Sequence, residues 1–200
     1  MRAFVVGNGE SLARTDLNKL IGEISFVCNN IHLIYAHTDF RPTHYIRAEE
    51  SRSLSVEDWG ESVETHRRLG CEMWLNNMFG KADHKINACS HYRKHYNNPE
   101  APHLWHLPVL CTFGSSVNVA VQIAHTLGYS PIYLVGCDLG SNMNHFMPNY
   151  RHGKEQPNRY ANLDALAAHM VASRSGEEIY NATIGGELEV YERVEFRSLF

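Results

Sequence analysis

The chain begins with MRAFVVGNGESLARTDLNKL (residues 1–20), in which a strand pattern is followed almost directly by a helix pattern. The apolar residues 3–6 predict a short buried strand, and the leucine spacing over 11–21 predicts a helix. Only GNGE separates the two patterns. Such a connection is typical of a tight turn, or of a loop whose backbone approaches an anion closely.

The alternation of strand and helix patterns continues along the chain and predicts an α/β fold. We expect helices at 11–21, 31–37, 55–68, 116–127 and 159–175, and strands at 3–6, 24–28, 45–46, 132–135 and 179–180, with a short terminal piece at 188–190. Strands in this order form a mostly parallel sheet with helices on both faces. The chain is therefore predicted to be a single domain over residues 1–200, in which about 50–108 form an irregular, His-rich cover.

The composition excludes several classes of protein. A length of 200 residues, 44% of them apolar, suits one domain with a sizeable core. The formal net charge of −4, without a basic block, argues against nucleic-acid binding. No transmembrane stretch or signal-peptide pattern occurs, so a cytoplasmic protein is expected. The five Cys are odd in number and lack a C-x-x-C pair, and we expect structural roles for them.

Four glycine- or asparagine-containing turns are candidates for a ligand site, since ligands of open α/β sheets bind beyond the carboxyl ends of the strands. They are Gly7-Asn8-Gly9, Cys28-Asn29-Asn30, Gly136-Cys137-Asp138 and Gly114-Ser115-Ser116. Helix N-termini that converge there suit a phosphate or diphosphate. The alternative is a set of ordinary turns with caps, because the third glycine of a dinucleotide fingerprint is missing and no P-loop pattern occurs.

Two further residues are candidates for chemistry. Asp138 follows a buried strand and suits Mg²⁺, a ribose hydroxyl or a substrate amine, or else caps a turn. His145 lies in the next loop and suits a general base or a phosphate donor, unless it only packs that loop. The pairs His91/His95 and His103/His106 lack a third ligand, so no metal site is predicted from them.

The order of several segments resembles the MptE-like family, named for archaeal 6-hydroxymethylpterin diphosphokinase, and most closely its bacterial branch associated with surface glycans. The segments are VVGNGESL, CNN, FRPTHYI, GSSVNVAVQIAHTLGYSPIYLVGCDL, NHFMPNY and IYNATIGGELEVYERVEFRSLF. More distantly, the chain is similar to motility accessory factor glycosyltransferases and to bacterial sialyltransferases that use CMP-activated sugars. The resemblance implies a Rossmann-like core.

The resemblance also implies site residues. In the sialyltransferases a G-N-G-P-S-L loop and an Asn after the second strand contact the nucleotide. The positions implied for nucleotide binding are Gly7, Asn8, Gly9, Ser11 and Asn29, with Gly114, Ser115 and Ser116 on the sugar or phosphate side. The chain departs from these relatives by Glu10 in place of Pro, by KEQPNRY without the catalytic His, and by Asn29-Asn30 in place of an acidic turn.

The leading hypothesis is a nucleotide-dependent transferase, a glycosyltransferase acting on a small-molecule or glycan acceptor, with His145 as base and Asp138 as its partner. The first alternative is diphosphoryl transfer from ATP to a pterin, which would need Mg²⁺ as cofactor. The second is a nucleotide-binding module without catalysis. The base, the sugar and the oligomeric state, a homo-oligomer included, stay open.

Overall fold

The computed structural model describes residues 1–48, 56–76, 80–89, 109–111, 115–139, 145–147, 150, 169 and 177–200. Its strands are β1 (Ala3–Val6), β2 (Ser25–Cys28), β3 (His44–Arg47), β4 (Glu72–Asn76), β5 (His84–Cys89), β6 (Val109–Cys111), β7 (Ile132–Val135), β8 (Ile179–Asn181) and β9 (Glu192–Arg193). They form one open sheet in the order β6-β5-β4-β3-β2-β1-β7-β8-β9. Every pairing is parallel, which confirms the predicted Rossmann-like α/β fold.

The strand order reverses next to β1. From β1 the chain adds strands outward to β6, then returns and places β7 on the other side of β1, with Val6 opposite Val135. The loops that follow β1, β2, β3 and β7 therefore meet at one edge of the sheet. In α/β sheets this reversal is where ligands bind, and here it brings three of the four predicted turns together.

The sheet is buried on both faces because alternate strand residues point to opposite sides. On one face Ala3, Val5 and Phe26 pack against helix α2 (Ser116–Thr126). On the other, Phe4, Val6 and Val27 pack against three 3-10 helical segments and helix α1 (Val56–Arg68). The two faces thus form two separate apolar layers, each with its own covering elements.

The helix expected over 11–21 is wrong in type. The structure has two short 3-10 segments, Glu10–Arg14 and Leu17–Leu20, separated by extended backbone at Thr15. The Asp16 side chain accepts a hydrogen bond from the Asn18 N–H and so starts the second segment anew. The predicted apolar stripe is shorter as well, since Leu12, Leu17 and Leu20 are buried while Ile21 is exposed.

The helix predicted at 31–37 is likewise a 3-10 segment, Ile31–Ala36. Helices α1 and α2 are confirmed, and Gly128 ends α2 with a φ of +81° as a C-terminal glycine does. Val119, Ile123 and Ala124 of α2 are buried, whereas Leu127, just after the helix, is 41% exposed. The expected helix over 159–175 lies outside the described residues, except for His169, which is helical.

The prediction of irregular structure at 50–108 is wrong for the part that the structure describes. Besides the predicted helix α1, that part contains the strands β4 and β5, so the sheet continues through the segment. The strand signal was missed because Glu72, His84 and Lys85 interrupt the apolar runs, whereas parallel strands at a sheet margin tolerate such polar positions. Residues 90–108, with most of the His-rich stretch, lie outside the described residues. The terminal strand is Glu192–Arg193, not 188–190.

Three of the five cysteines, Cys28, Cys71 and Cys137, are buried thiols outside any disulfide. Burial raises the pKa of the Cys71 thiol to about 11, and that of Cys137 well above its usual range. Buried thiols of this kind act as small apolar side chains. In the part of the chain that the structure describes, no helix combines the length and the apolar character needed to cross a membrane.

Among the described residues three histidines are buried, His44 in β3, His66 in α1 and His169. Burial lowers the pKa of His66 to about 4 and that of His169 to about 3, and it lowers the pKa of His44 as well. Each ring therefore stays neutral in the folded chain at pH values where the unfolded chain protonates it.

We predict that stability is lost as the pH falls below about 6.5, because the unfolded chain then binds protons that the folded chain does not. For His66 alone, the free energy of unfolding should drop by about 2 kcal/mol between pH 7 and pH 5. Urea unfolding of the wild type and of His66→Gln at several pH values measures this. The variant should show a flatter pH dependence, whereas His37→Gln, at an exposed position, should not. Equal slopes for all three proteins would contradict the assignment.

Candidate functional site

The loop after β1 is joined to the loop after β7 by backbone hydrogen bonds. The Gly7 N–H donates to the Val135 carbonyl at 2.7 Å, and the Gly9 N–H donates to the Gly136 carbonyl at 2.8 Å. These bonds extend the β1–β7 pairing beyond both strands. The loop after β1 and the loop after β7 are therefore in contact, and no open space separates them at the strand reversal.

Asp138 completes this junction. Its carboxylate accepts hydrogen bonds from Ser11, at 3.2 Å from the backbone N–H and 2.8 Å from the hydroxyl. Burial raises the pKa of Asp138, and the bonds from Ser11 oppose that rise. The carboxylate thus lies at the start of the first 3-10 segment, where the sequence predicted an external anion.

Two glycines, Gly9 and Gly186, lie against Asp138 at positions where a side chain would collide with it. A Cβ on Gly9 would overlap the Asp138 carboxylate, and a Cβ on Gly186 would lie 2.7 Å from the Asp138 Cα. The Glu187 N–H donates to the Asp138 carbonyl at 2.7 Å from the same turn. The glycines of GNGESL and of IGGELE therefore permit close approach to Asp138. The nucleotide contacts predicted for Gly7, Gly9 and Ser11 stay a prediction.

Asn29 occupies the end of β2 in a left-handed conformation, with φ of +58°. Its side-chain oxygen accepts hydrogen bonds from the Arg47 guanidinium at 2.7 Å and from the Ser116 hydroxyl at 3.4 Å. Its backbone carbonyl accepts from the Ser62 hydroxyl at 2.6 Å and from the Tyr45 hydroxyl at 3.1 Å. Four donors from β3, α1 and α2 therefore hold one asparagine in place.

The predicted turn before α2 lies beside Asn29. Ser115 is the N-cap residue and Ser116 the first helical residue, and Ser116 is 4% exposed. Gly114 lies outside the described residues. The structure thus brings Ser116 and the N-terminus of α2 to the end of β2, as the sequence predicted for this edge.

Sequence reasoning missed the residues that support Asn29. Arg47 is 0% exposed at the end of β3, and Ser62 and His66 are equally buried in α1. The His66 ring stacks on Tyr45 at 3.9 Å and contacts the Ser62 carbonyl through Nδ1 at 2.7 Å. The one available signal was an arginine directly after the apolar pair Tyr45-Ile46. A buried guanidinium there adds positive charge to the edge.

Asn8 links the first loop to β2. Its side-chain nitrogen donates to the Cys28 carbonyl at 3.1 Å, and its backbone carbonyl accepts from the Phe146 N–H at 3.2 Å. The side-chain oxygen of Asn8 is buried without a hydrogen-bond partner. Asn8 and Asn29 thus lie on adjacent strand ends, and both present amide groups at the same edge.

His145 belongs to this edge as well. Its backbone forms an antiparallel bridge with Gly9, and its ring stacks on Tyr150 with centroids 4.0 Å apart and an angle of 12°. The Tyr150 hydroxyl accepts from the Asn30 N–H at 3.1 Å, so the stack is tied to the end of β2. His145 and Asp138 therefore flank Gly9, while the Asp138 carboxylate bonds to Ser11. The catalytic roles predicted for both stay predictions.

A metal centre has no preformed ligand set in the residues that the structure describes. Among them, no group of three or more His, Cys, Asp and Glu side chains is arranged to hold a metal ion. Residues 91–106, which contain the two His pairs considered above, fall outside that part.

Comparison with known proteins gives a likeness of fold. No family model matches the chain, and no curated protein matches it. Among solved structures, a MAf glycosyltransferase from Magnetospirillum magneticum AMB-1 is similar, with 14% identity and a TM-score of 0.64. The match covers 100% of this chain and 34% of that one, so the chain spans about a third of the length of that protein. At this identity the two share a fold.

We predict that Asp138→Ala lowers the free energy of unfolding by about 2 kcal/mol, because two hydrogen bonds to a charged, half-buried group are lost. Asp138→Asn should cost less, since an amide can still accept from the Ser11 N–H. Chemical denaturation of both variants measures this. Asp39→Ala, which removes an exposed carboxylate, is the matched control and should leave stability unchanged. An Asp138→Ala variant as stable as that control would refute the structural role.

Proposed function

We propose that the protein is a nucleotide-dependent transferase, and in particular a glycosyltransferase that uses a nucleotide-activated sugar in surface-glycan synthesis. The observation that carries this proposal is the geometry of Asn29. Its side-chain oxygen is held by Arg47 and Ser116, so the amide orientation is set. The amide nitrogen is then the group left to donate to a ligand oxygen at the end of β2.

The charges around Asn29 suit a nucleotide phosphate. The buried Arg47 guanidinium and the N-terminus of α2 both lie against the Asn29 side chain. A helix N-terminus carries partial positive charge and free N–H groups. Preorganised positive potential of this kind stabilises the negative charge that develops on a departing nucleotide.

The fold likeness supports the sugar-transfer form of the proposal by analogy. The similar solved structure is described as a MAf glycosyltransferase, and its likeness covers this whole chain. The motif order quoted above, which resembles the bacterial branch of the MptE-like family, supports the same class. Function does not follow from fold alone, so the proposal depends on the Asn29 site and its test.

His145 is the proposed general base on the acceptor hydroxyl. Its imidazole lies at the edge that carries Asn8 and Asn29, and the Tyr150 stack holds the ring plane. We assign Asp138 to holding the junction of the β1 and β7 loops, since its two carboxylate oxygens bond to Ser11.

We predict that Asn29→Gly lowers nucleotide affinity and leaves the fold intact, because glycine accepts the left-handed φ of this position while the amide is removed. Ser116→Ala should weaken binding less. Thermal shifts with CMP, CDP, UDP, GDP and ATP, each with and without Mg²⁺, measure binding, since a ligand stabilises the state that it binds. Ser130→Ala, at the opposite edge of the sheet, is the matched control for Ser116→Ala.

The same panel separates the competing functions. A shift by a cytidine, uridine or guanosine nucleotide without metal supports the sugar-nucleotide proposal. A shift by ATP alone, and only with Mg²⁺, would instead indicate diphosphoryl transfer. Nucleotide binding without turnover of any sugar nucleotide would indicate a non-catalytic binding module. If no nucleotide changes the melting temperature, the proposed function is wrong.

We predict that His145→Phe reduces turnover about 10²- to 10⁴-fold, the usual contribution of a general base. Phenylalanine keeps the stack on Tyr150, so stability and nucleotide affinity should change little. Release of nucleotide from the sugar nucleotide identified by the panel measures turnover. His125→Phe, remote from this edge at the end of α2, is the control. Full turnover by His145→Phe would remove His145 from the mechanism.

A further inference from the structure

A cavity lies beside the edge site, in the layer of 3-10 segments. It has a volume of about 360 Å³ and opens to solvent between the segments that follow β1 and β2. Small-molecule pockets usually measure about 300–1,000 Å³. This cavity is thus at the small end of that range and suits a ligand the size of one sugar ring.

The floor of the cavity is apolar. Leu12, Leu17 and Ile34 line it and are each at most 6% exposed, and Phe146 is a further lining residue. An apolar lining that includes an aromatic ring suits the C–H face of a pyranose ring. The buried floor residues belong to the core, so the cavity is built into the fold.

The rim of the cavity carries hydrogen-bonding groups. Asp16, Asn18 and His37 line it and are exposed. The Asn18 side-chain oxygen accepts from the Thr38 hydroxyl at 2.8 Å and from the Asp39 N–H at 2.9 Å, which orients the amide nitrogen as a donor. Asp16 offers carboxylate oxygens as acceptors. The rim therefore carries both donors and acceptors, as hydroxyl groups require.

The charge of the lining distinguishes this cavity from the edge site. Asp16 and His37 are the ionisable side chains that line it, and no Lys or Arg does so among the described residues. A phosphate would meet an unfavourable carboxylate here, whereas a neutral polyol would not. The cavity therefore does not suit the nucleotide, for which the edge with Arg47 is the better site.

The cavity and the edge site share one segment. Phe146 and Met147 line the cavity and directly follow His145. The Phe146 N–H donates to the Asn8 carbonyl, which anchors this segment to the loop after β1. A ligand in the cavity would therefore contact residues adjacent to the proposed base.

We propose that this cavity binds one saccharide unit and that, on the proposed function, this unit belongs to the acceptor. The apolar floor takes the C–H face of the ring, and Asp16, Asn18 and His37 bond its hydroxyl groups. Binding to the cavity does not require the nucleotide, so it can be measured on the protein alone.

The test is a titration of ¹⁵N-labelled protein with methyl glycosides of glucose, galactose and N-acetylglucosamine. We expect saturable shifts of the amide signals of residues 12–18, 33–38 and 146–147 for at least one of them. Ala13→Trp fills the cavity from an exposed position and should abolish these shifts. Ala36→Trp, equally exposed on a 3-10 segment but outside the cavity lining, is the matched control and should retain them.

Asp16→Asn refines the test, because asparagine can still accept from the Asn18 N–H and start the second 3-10 segment. Loss of the carboxylate should weaken glycoside binding about tenfold, the effect of one charge-assisted hydrogen bond. Cyclohexylmethanol and cyclohexylamine serve as apolar and cationic probes of similar size. Stronger shifts by either of them than by every glycoside would overturn the proposal, as would glycoside shifts that persist in Ala13→Trp or no shift at all.

The two proposals fail separately. If glycosides shift the amide signals of the cavity but no nucleotide changes the melting temperature, the saccharide site is supported and the nucleotide-dependent transferase is wrong. A nucleotide response without glycoside shifts would leave the proposed function and remove this acceptor site.

Discussion

The carboxylate of Asp138 is the contact on which the arrangement of this edge depends. It bonds to Ser11 at the start of the first 3-10 segment, and Gly9 approaches it closely. Gly186 and the Glu187 N–H approach the Asp138 backbone instead, so Asp138 as a whole joins the loops after β1, β7 and β8. Desolvating a carboxylate is unfavourable unless hydrogen bonds compensate, and here both the bonds and the glycines that make room for them are present.

A second buried arrangement supports the candidate ligand group. Asn29 adopts a left-handed backbone conformation that is uncommon for residues other than glycine, and such a conformation persists where the surroundings hold it. Tyr45 and Ser62 hold its carbonyl, while Arg47 and Ser116 hold its side chain. The contacts come from β3, α1 and α2. Such preorganisation on rigid elements is what a binding site requires.

The strands and the segment 11–21 show which parts of the fold could be predicted from the sequence. The apolar runs of β1, β2 and β7 were predicted within a residue of their bounds, because buried parallel strands are nearly continuous in apolar residues. β4 and β5 were missed because polar residues interrupt them. An α-helix was predicted over 11–21 from the leucine spacing. The Asp16 side chain, however, accepts a hydrogen bond from the Asn18 N–H and begins a new 3-10 segment, which apolar periodicity does not reveal.

Local apolar patterns and glycine turns encode the α/β class, the central strands, helices α1 and α2 and the edge at which the candidate site lies, so these could be predicted from the sequence. The role of the glycines, in contrast, depends on contacts that form only in the folded chain. Gly9 and Gly186 are 177 residues apart in the chain, yet both contact Asp138. Arg47 and Ser116 are likewise distant in the chain, yet both contact Asn29. Contacts between distant segments depend on strand order and packing, which local sequence patterns do not encode.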